Sequence, residues 1–256
     1  MIKKIFGFFL NRLPRQWLIR LSYWASPILA WWYRGNRFED PIDGRGYRKL
    51  LPYGYEGRQR DNALSPGTLS LERHRLLWLY LREETTFFTA PHKMLHVAPE
   101  QCFYGRFKQM KNLDYTTADL DSPIADLKMD IHDIPFDDNT FDVIFCNHVL
   151  EHVYDDRQCM RELARVLAPG GMAIMQVPFA EGQPHTIEDP NEKDPAVRKQ
   201  RFGQYDHVRL YGPDYADRLR EAGFTVKVVN YQEKLPPAQF ERYALPPGEL
   251  LYLAGK

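Results

Sequence analysis

From Pro91 to the C-terminus, short apolar runs alternate with stretches of helical period. The runs Met94–Ala98, Tyr115–Leu120, Phe141–Asn147, Met172–Pro178, Phe224–Asn230 and Leu250–Leu253 are predicted strands, and a further short strand is expected before Asp130. Helices are predicted over Asp155–Leu167 and Pro213–Ala222. The first of these carries Met160, Leu163, Val166 and Leu167 on one face, with Asp155 or Asp156 as its cap and Ala168-Pro169-Gly170-Gly171 as its stop. Strands alternating with helices predict an α/β domain built on a mostly parallel sheet.

The N-terminal part reads differently. In residues 1–33, aromatic and aliphatic residues are interleaved with Lys3, Lys4, Arg12, Arg15 and Arg20. Pro14, Arg20 and Pro27 interrupt the run, so it is too short to span a bilayer, which needs about 20 apolar residues in succession. Two readings stand side by side: an interfacial anchor with Trp17, Trp24, Trp31 and Trp32 at headgroup depth, or helices that pack on the domain or on a second subunit as a homodimer. Residues 39–68 are rich in Gly, Pro and Tyr and are expected to form loops and short strands. A helix should follow in SLERHRLLWLYLREE, with Ser70 as N-cap and Leu71, Leu76, Leu77 and Leu79 on its buried face. The expected segments are therefore 1–38, 39–90 and 91–256.

Composition narrows the function classes. A formal net charge of zero argues against a whole-protein nucleic-acid binder, so no nucleic-acid partner is expected. Residues 1–38 break that balance with seven Lys or Arg and no acid, which leans the first segment toward the inner face of a membrane. The three cysteines form no C-x-x-C pair and suit a reduced, cytoplasmic setting.

Two stretches carry resemblances. Asp40-Pro41-Ile42-Asp43 and Ser65-Pro66-Gly67-Thr68, followed by SLERHR, resemble an extension of some methyltransferase-like proteins in which paired C-P-x-C motifs form a zinc knuckle. Every thiolate is replaced here, and two carboxylates with two hydroxyls would not hold zinc tightly, so a segment held by packing is expected. From residue 91 onward, five landmarks in order resemble class I S-adenosylmethionine (SAM)-dependent methyltransferases of the type 11 kind. They are MLHVAPEQC, YTTADLDS, MDIHDIPFDDNTFDVI, the stretch from FCNHVLEHV to LAPGGMAIMQVP, and QYDHVRLYGPDYADRLREAGF.

The resemblance implies a Rossmann-like fold of seven strands, mostly parallel with an antiparallel last strand, behind an N-terminal extension of helix and loop. It implies SAM as cofactor. At the first landmark His96 stands where the family has an acid, and Ala98, Glu100 and Cys102 stand at its glycine positions. Ala98 keeps a small residue, and Glu100 could offer its carboxylate to the SAM amino group. Asp119, with Leu120 beside it, would take the ribose hydroxyls, and Asp121 is the fallback. Asp130 and Ile131 would meet the adenine, and Asn147 ends the fourth strand at the same cleft.

The donor methyl is already activated, so the chain must chiefly place an acceptor and, where needed, remove its proton. His148 or His207 is expected to be the proton acceptor, with Arg209 on an anionic substrate group; His185 is a weaker candidate in the polar loop Phe179–Tyr205. Ubiquinone-type O-methyltransferases hold a divalent metal on E-x-x-E-H at the position of His148, Glu151 and His152; with His148 in place of a carboxylate, no metal is expected. The function expected is methyl transfer to a small-molecule or a glycan- or lipid-linked acceptor. Its rival is a non-catalytic methyltransferase-like binding or assembly protein. A nicotinamide-dependent oxidoreductase is disfavoured because G-x-G-x-x-G is absent.

Overall fold

The computed structural model describes residues 15–54, 59–179 and 182–256. Lys3, Lys4, Arg12 and Pro14 lie outside this range. The chain forms two compact units, one of residues 1–86, 100–106 and 231–249, the other of 87–99, 107–230 and 250–256.

The first unit begins with helix α1 (Arg15–Trp32). Pro27 sits inside it and has no N–H to give to the Tyr23 carbonyl. The Ser26 hydroxyl donates to that carbonyl at 3.4 Å, which lets the helix run on. Two antiparallel pairs follow, Arg34–Asp40 with Arg45–Tyr47 and Leu51–Tyr53 with Arg60–Leu64. No helix among the described residues is long and apolar enough to cross a membrane.

Helix α2 (Glu72–Glu84) starts one residue later than Ser70 would have capped it. The N-cap position is Leu71, whose N–H donates to His74 Nδ1 at 3.0 Å. Ser70 is engaged elsewhere. Its hydroxyl and that of Thr68 both donate to Asp40 Oδ2, at 3.0 and 2.5 Å, while Oδ1 accepts the Ile42 N–H at 2.9 Å. Asp43 accepts from the Arg45 N–H and from the Tyr47 hydroxyl. The positions that resemble metal ligands thus form hydrogen bonds among themselves and their neighbours. Asp40 and Ser65 are wholly buried. Gly67 is small of necessity, because a Cβ there would overlap the Tyr47 hydroxyl. Arg75, also fully buried, donates to the carbonyls of Ala63, Ser70, Tyr243 and Ala244, which ties the C-terminal part of the unit to α2.

The second unit is built on one sheet. Its strands are β1 (His92–Val97), β2 (Leu113–Asp119), β3 (Leu127–Lys128), β4 (Phe141–Cys146), β5 (Leu167–Ile174), β6 (Thr225–Val229) and β7 (Leu251–Gly255). Their spatial order is β6-β7-β5-β4-β1-β2-β3. All neighbours pair parallel except β7, which runs antiparallel to both β5 and β6. The order reverses between β1 and β4, which is where an open α/β sheet forms its crevice. Helices α4 (Asp156–Val166), α5 (Pro195–Phe202) and α6 (Tyr215–Glu221) lie along its connections, while α3 (Gln101–Phe107) falls almost wholly in the first unit.

Helix α4 shows why the pattern was readable. Asp155 caps it by accepting the Gln158 N–H at 2.9 Å, and Cys159, Met160, Leu163 and Val166 are fully buried beneath it. Its stop differs from the expectation. The chain passes directly into β5 at Leu167, which pairs with Phe141, and Gly170 and Gly171 lie within the strand. A register irregularity between Phe141 and Val143 absorbs them, and the Gly170 N–H donates to the carbonyl of Lys256. β5 therefore begins earlier than Met172 and ends before Met175.

Replacing Asp40 by Ala strands two hydroxyls and one N–H in the first unit. Asp40→Ala should cost about 3 kcal/mol in urea unfolding followed by tryptophan fluorescence; a loss below about 1 kcal/mol would show that this knot is dispensable.

Candidate active site

Parallel register brings three strand ends to one level. Val97 of β1 pairs with Ala118 of β2 and with Cys146 of β4, so Ala98, Asp119 and Asn147 are the next residues along. Asp119 in turn pairs with Lys128 of β3, two residues before Asp130. Four separate landmarks of the sequence thus meet along a single edge.

At that edge the backbone turns sharply in two places. Ala98 has φ +49° and His148 has φ +55°, both in the left-handed region that side chains with a Cβ rarely enter. Ala98 is fixed by its N–H to the Ala118 carbonyl at 2.8 Å, and His148 by its N–H to the Gln176 carbonyl at 2.7 Å. Ala98 therefore adopts the conformation of a glycine at a position where the resemblance expects one.

The two carboxylates are each half committed. Asp119 Oδ1 accepts the N–H groups of Asp121 and Ser122 at 2.8 and 2.7 Å, which leaves Oδ2 for a ligand. Asp130 Oδ1 accepts the His132 N–H at 2.9 Å and meets His132 Nδ1 at 2.6 Å. These bonds hold the Asp130 carboxyl below its usual range, the backbone N–H foremost. Leu120 is exposed and Ile131 is buried beside Asp130. Asn147 is buried, and its Oδ1 accepts the Gln176 N–H at 3.1 Å, so this side chain braces the edge. Glu100 belongs to the first unit, where its carbonyl accepts the N–H groups of Phe103 and Tyr104.

His96 is wholly buried, with Nδ1 2.8 Å from the Tyr115 hydroxyl and its ring edge-on to Phe145. It is a core residue. The features that suit a nucleoside are nonetheless present: a left-handed turn bearing only a methyl group, and a free oxygen on each of two carboxylates.

A second group follows β4. His148 Nδ1 lies 3.3 Å from Glu151 Oε1, and the His148 side chain keeps about a quarter of its surface exposed (27%). Glu151 is buried, with no hydrogen-bond partner for Oε2. Burial would raise its carboxyl, but the His148 hydrogen bond and the nearby histidine charges outweigh this and lower it. His207, not His148, completes a cluster with Glu151 and His152, whose potential ligand atoms lie within 4.8 Å of one another. His207 is itself buried, its Nδ1 faces the Phe202 carbonyl at 3.1 Å, and burial lowers its pKa. His148 is the less enclosed ring of the expected pair, but its Nδ1 faces Glu151 and its Nε2 is buried with no hydrogen-bond partner. His185 is exposed in the loop.

Arg209 departs furthest from expectation. Only 1% of its side chain is exposed, and it donates to the carbonyls of Leu150, Val153 and Tyr154 and to Glu188. No donor face is left for an anionic substrate. Arg209 clamps the turn that carries Glu151 and His152. Asp156 supports it, accepting from the Tyr211 hydroxyl at 2.8 Å and from Arg218 at 3.1 Å. Sequence reasoning also missed Gln176, whose signal was a lone polar residue inside the apolar run MAIMQVP.

Residues 94–175 match the family model described as "Methyltransferase domain". The chain is 33% identical over 105 residues to a malonyl-[acyl-carrier protein] O-methyltransferase of Halorhodospira halophila, covering 40% of this chain and 32% of that protein. It is 32% identical over 106 residues to a 27-O-demethylrifamycin SV methyltransferase of Amycolatopsis mediterranei, covering 41% and 37%. The match spans about a third of the length of each relative. Among solved structures it is similar to a Burkholderia thailandensis 1,6-didemethyltoxoflavin-N1-methyltransferase with bound S-adenosylhomocysteine (TM-score 0.47, 16% identity, 72% of this chain and 77% of that one). Over residues 94–175 the chain therefore carries a stretch similar to a methyltransferase domain.

Two outcomes follow. Ala98→Gly should raise unfolding stability by about 1 kcal/mol and Ala98→Val should lower it, because the turn requires φ above zero; equal stabilities by thermal melting would refute the strained turn. Arg209→Met should cost about 3–5 kcal/mol, and Arg209→Lys should rescue little of it, since an ammonium cannot bond three carbonyls and a carboxylate at once. A surface-like change of under about 0.5 kcal/mol would disprove the clamp.

Proposed function

We propose that this chain is a methyltransferase that moves a methyl group from SAM to a small-molecule or a glycan- or lipid-linked acceptor. One observation carries the reading: Ala98 and His148 turn left-handed at the ends of adjacent strands, level with Asp119, where the strand order reverses. Bound SAM supplies a methyl group on a sulfonium, already activated for in-line displacement. The turn at Ala98 lets the backbone approach the cofactor. Asp119 Oδ2 takes the ribose hydroxyls, Asp130 the adenine amino group, and Ile131 and Leu120 flank the nucleoside. Asn147 keeps the edge in shape.

His148 accepts the proton released by a hydroxyl or ammonium acceptor. Glu151 is its positioning residue, because the buried carboxylate lies 3.3 Å from His148 Nδ1 and fixes the ring. The rival reading, a non-catalytic relative, is favoured by Glu100 and Cys102 at the glycine positions after the first strand, by the lost knuckle thiolates, and by the buried His96 where an acid is expected.

Titration calorimetry with S-adenosylhomocysteine separates them. Binding is expected, and Asp119→Ala and Asp119→Asn should each weaken it at least about tenfold, the worth of a hydrogen bond to a charged group. His148→Gln should leave that affinity unchanged. No heat at millimolar ligand would overturn the enzyme reading in favour of the rival.

A further inference from the structure

Helix α1 is amphipathic in an inverted sense. Its small residues Ser26 and Ala30 are buried, and its large ones face out. Trp17, Leu21, Trp24, Ile28, Trp31 and Trp32 are each at least 49% exposed, and Trp24 reaches 81%. At 3.6 residues per turn these six fall within an arc of about 100°, as one stripe about 22 Å long. With aromatic side chains of 150–250 Å² each, the stripe exposes on the order of 800 Å², more than the ~300–600 Å² of the largest patch on an ordinary monomer.

The surroundings are basic. α1 has no acid in its sequence, and Arg34, Arg37 and Arg48 are exposed just beyond it. The Arg48 guanidinium lies 6.0 Å from the Trp32 ring centre, so the positive rim touches the aromatic stripe. The nearest acid in the sequence, Glu39, is paired with Arg242. These features distinguish between occupants. A second copy of the chain would set like charge against like charge, and helix–helix seams use interdigitating Leu, Ile and Val. Four Trp on one face beside unbalanced arginines match the boundary between headgroups and acyl chains of an anionic bilayer.

The geometry points to α1 as an in-plane docking helix that seats the first unit on an anionic lipid surface. The aromatic stripe enters the interface, and Arg34, Arg37 and Arg48 meet the lipid phosphates. The inference stands on the first unit alone, so it survives or fails independently of SAM binding.

Flotation of the full chain with vesicles tests it, using phosphatidylcholine alone or mixed with phosphatidylglycerol. The chain should float with the mixed vesicles and weakly or not at all with the neutral ones. A Trp24→Glu, Ile28→Glu double variant should lose at least tenfold in apparent affinity while keeping its melting temperature, since both positions are exposed. An Arg34→Gln, Arg37→Gln, Arg48→Gln variant should lose the preference for anionic lipid. The proposal is overturned if the chain stays unbound, if the double variant floats as well as the parent, or if sedimentation shows a dimer that the double variant splits while vesicles do not bind.

Discussion

The edge of the sheet depends on how Gln176 is held. Its backbone carbonyl takes the His148 N–H and its backbone N–H goes to Asn147 Oδ1. Its side chain spans to the opposite neighbour, donating to the Leu250 carbonyl and accepting the Tyr252 N–H at 2.8 Å each. One buried residue thus joins the end of β4 to the start of β7. A left-handed residue with a Cβ costs roughly 1–2 kcal/mol and persists only where its surroundings over-determine it. Gln176 supplies that determination for His148. Without it the histidine would have no reason to leave the sheet where it does.

Arg209, Asp156, Arg218 and Tyr211 form a buried polar network around residues 150–154. Each charge in it is paired, as burial demands. His148 stands outside the network, its Nδ1 facing Glu151 and its Nε2 buried with no hydrogen-bond partner. The network takes up the Arg209 guanidinium, of which only 1% is exposed.

The sheet was legible because apolar runs and helical period are local properties that burial enforces on every strand. The positions of Asp119 and Asp130 near the strand ends were legible for a related reason: each keeps its spacing to the apolar runs around it. What the sequence hid was partnership across long separations. Arg209 reads as an exposed cation until the carbonyls of Leu150 and Val153, far away in sequence, are seen to surround it. Ser70 reads as a helix cap until Asp40 claims its hydroxyl. His207 and His148 are indistinguishable as letters, and only burial separates them. The boundaries of β5 slipped because Gly170-Gly171 reads as a stop, whereas a strand irregularity can absorb it.

The buried His96 bears on whether this domain is a working enzyme or a worn one. Its ring is packed among Phe107, Tyr115 and Phe145, with a hydrogen bond to the Tyr115 hydroxyl. A carboxylate in that aromatic enclosure would be desolvated with no cation to balance it, at a cost of several kcal/mol. Acid and aromatic cage therefore exclude each other, and the residues around position 96 are fitted to imidazole. Simple decay of a motif leaves mismatched neighbours and unsatisfied groups. Here the neighbours are matched, and the turn that follows at Ala98 still holds its strained, glycine-like backbone. The altered first strand is therefore fitted to its own core around His96 and keeps the left-handed turn at Ala98.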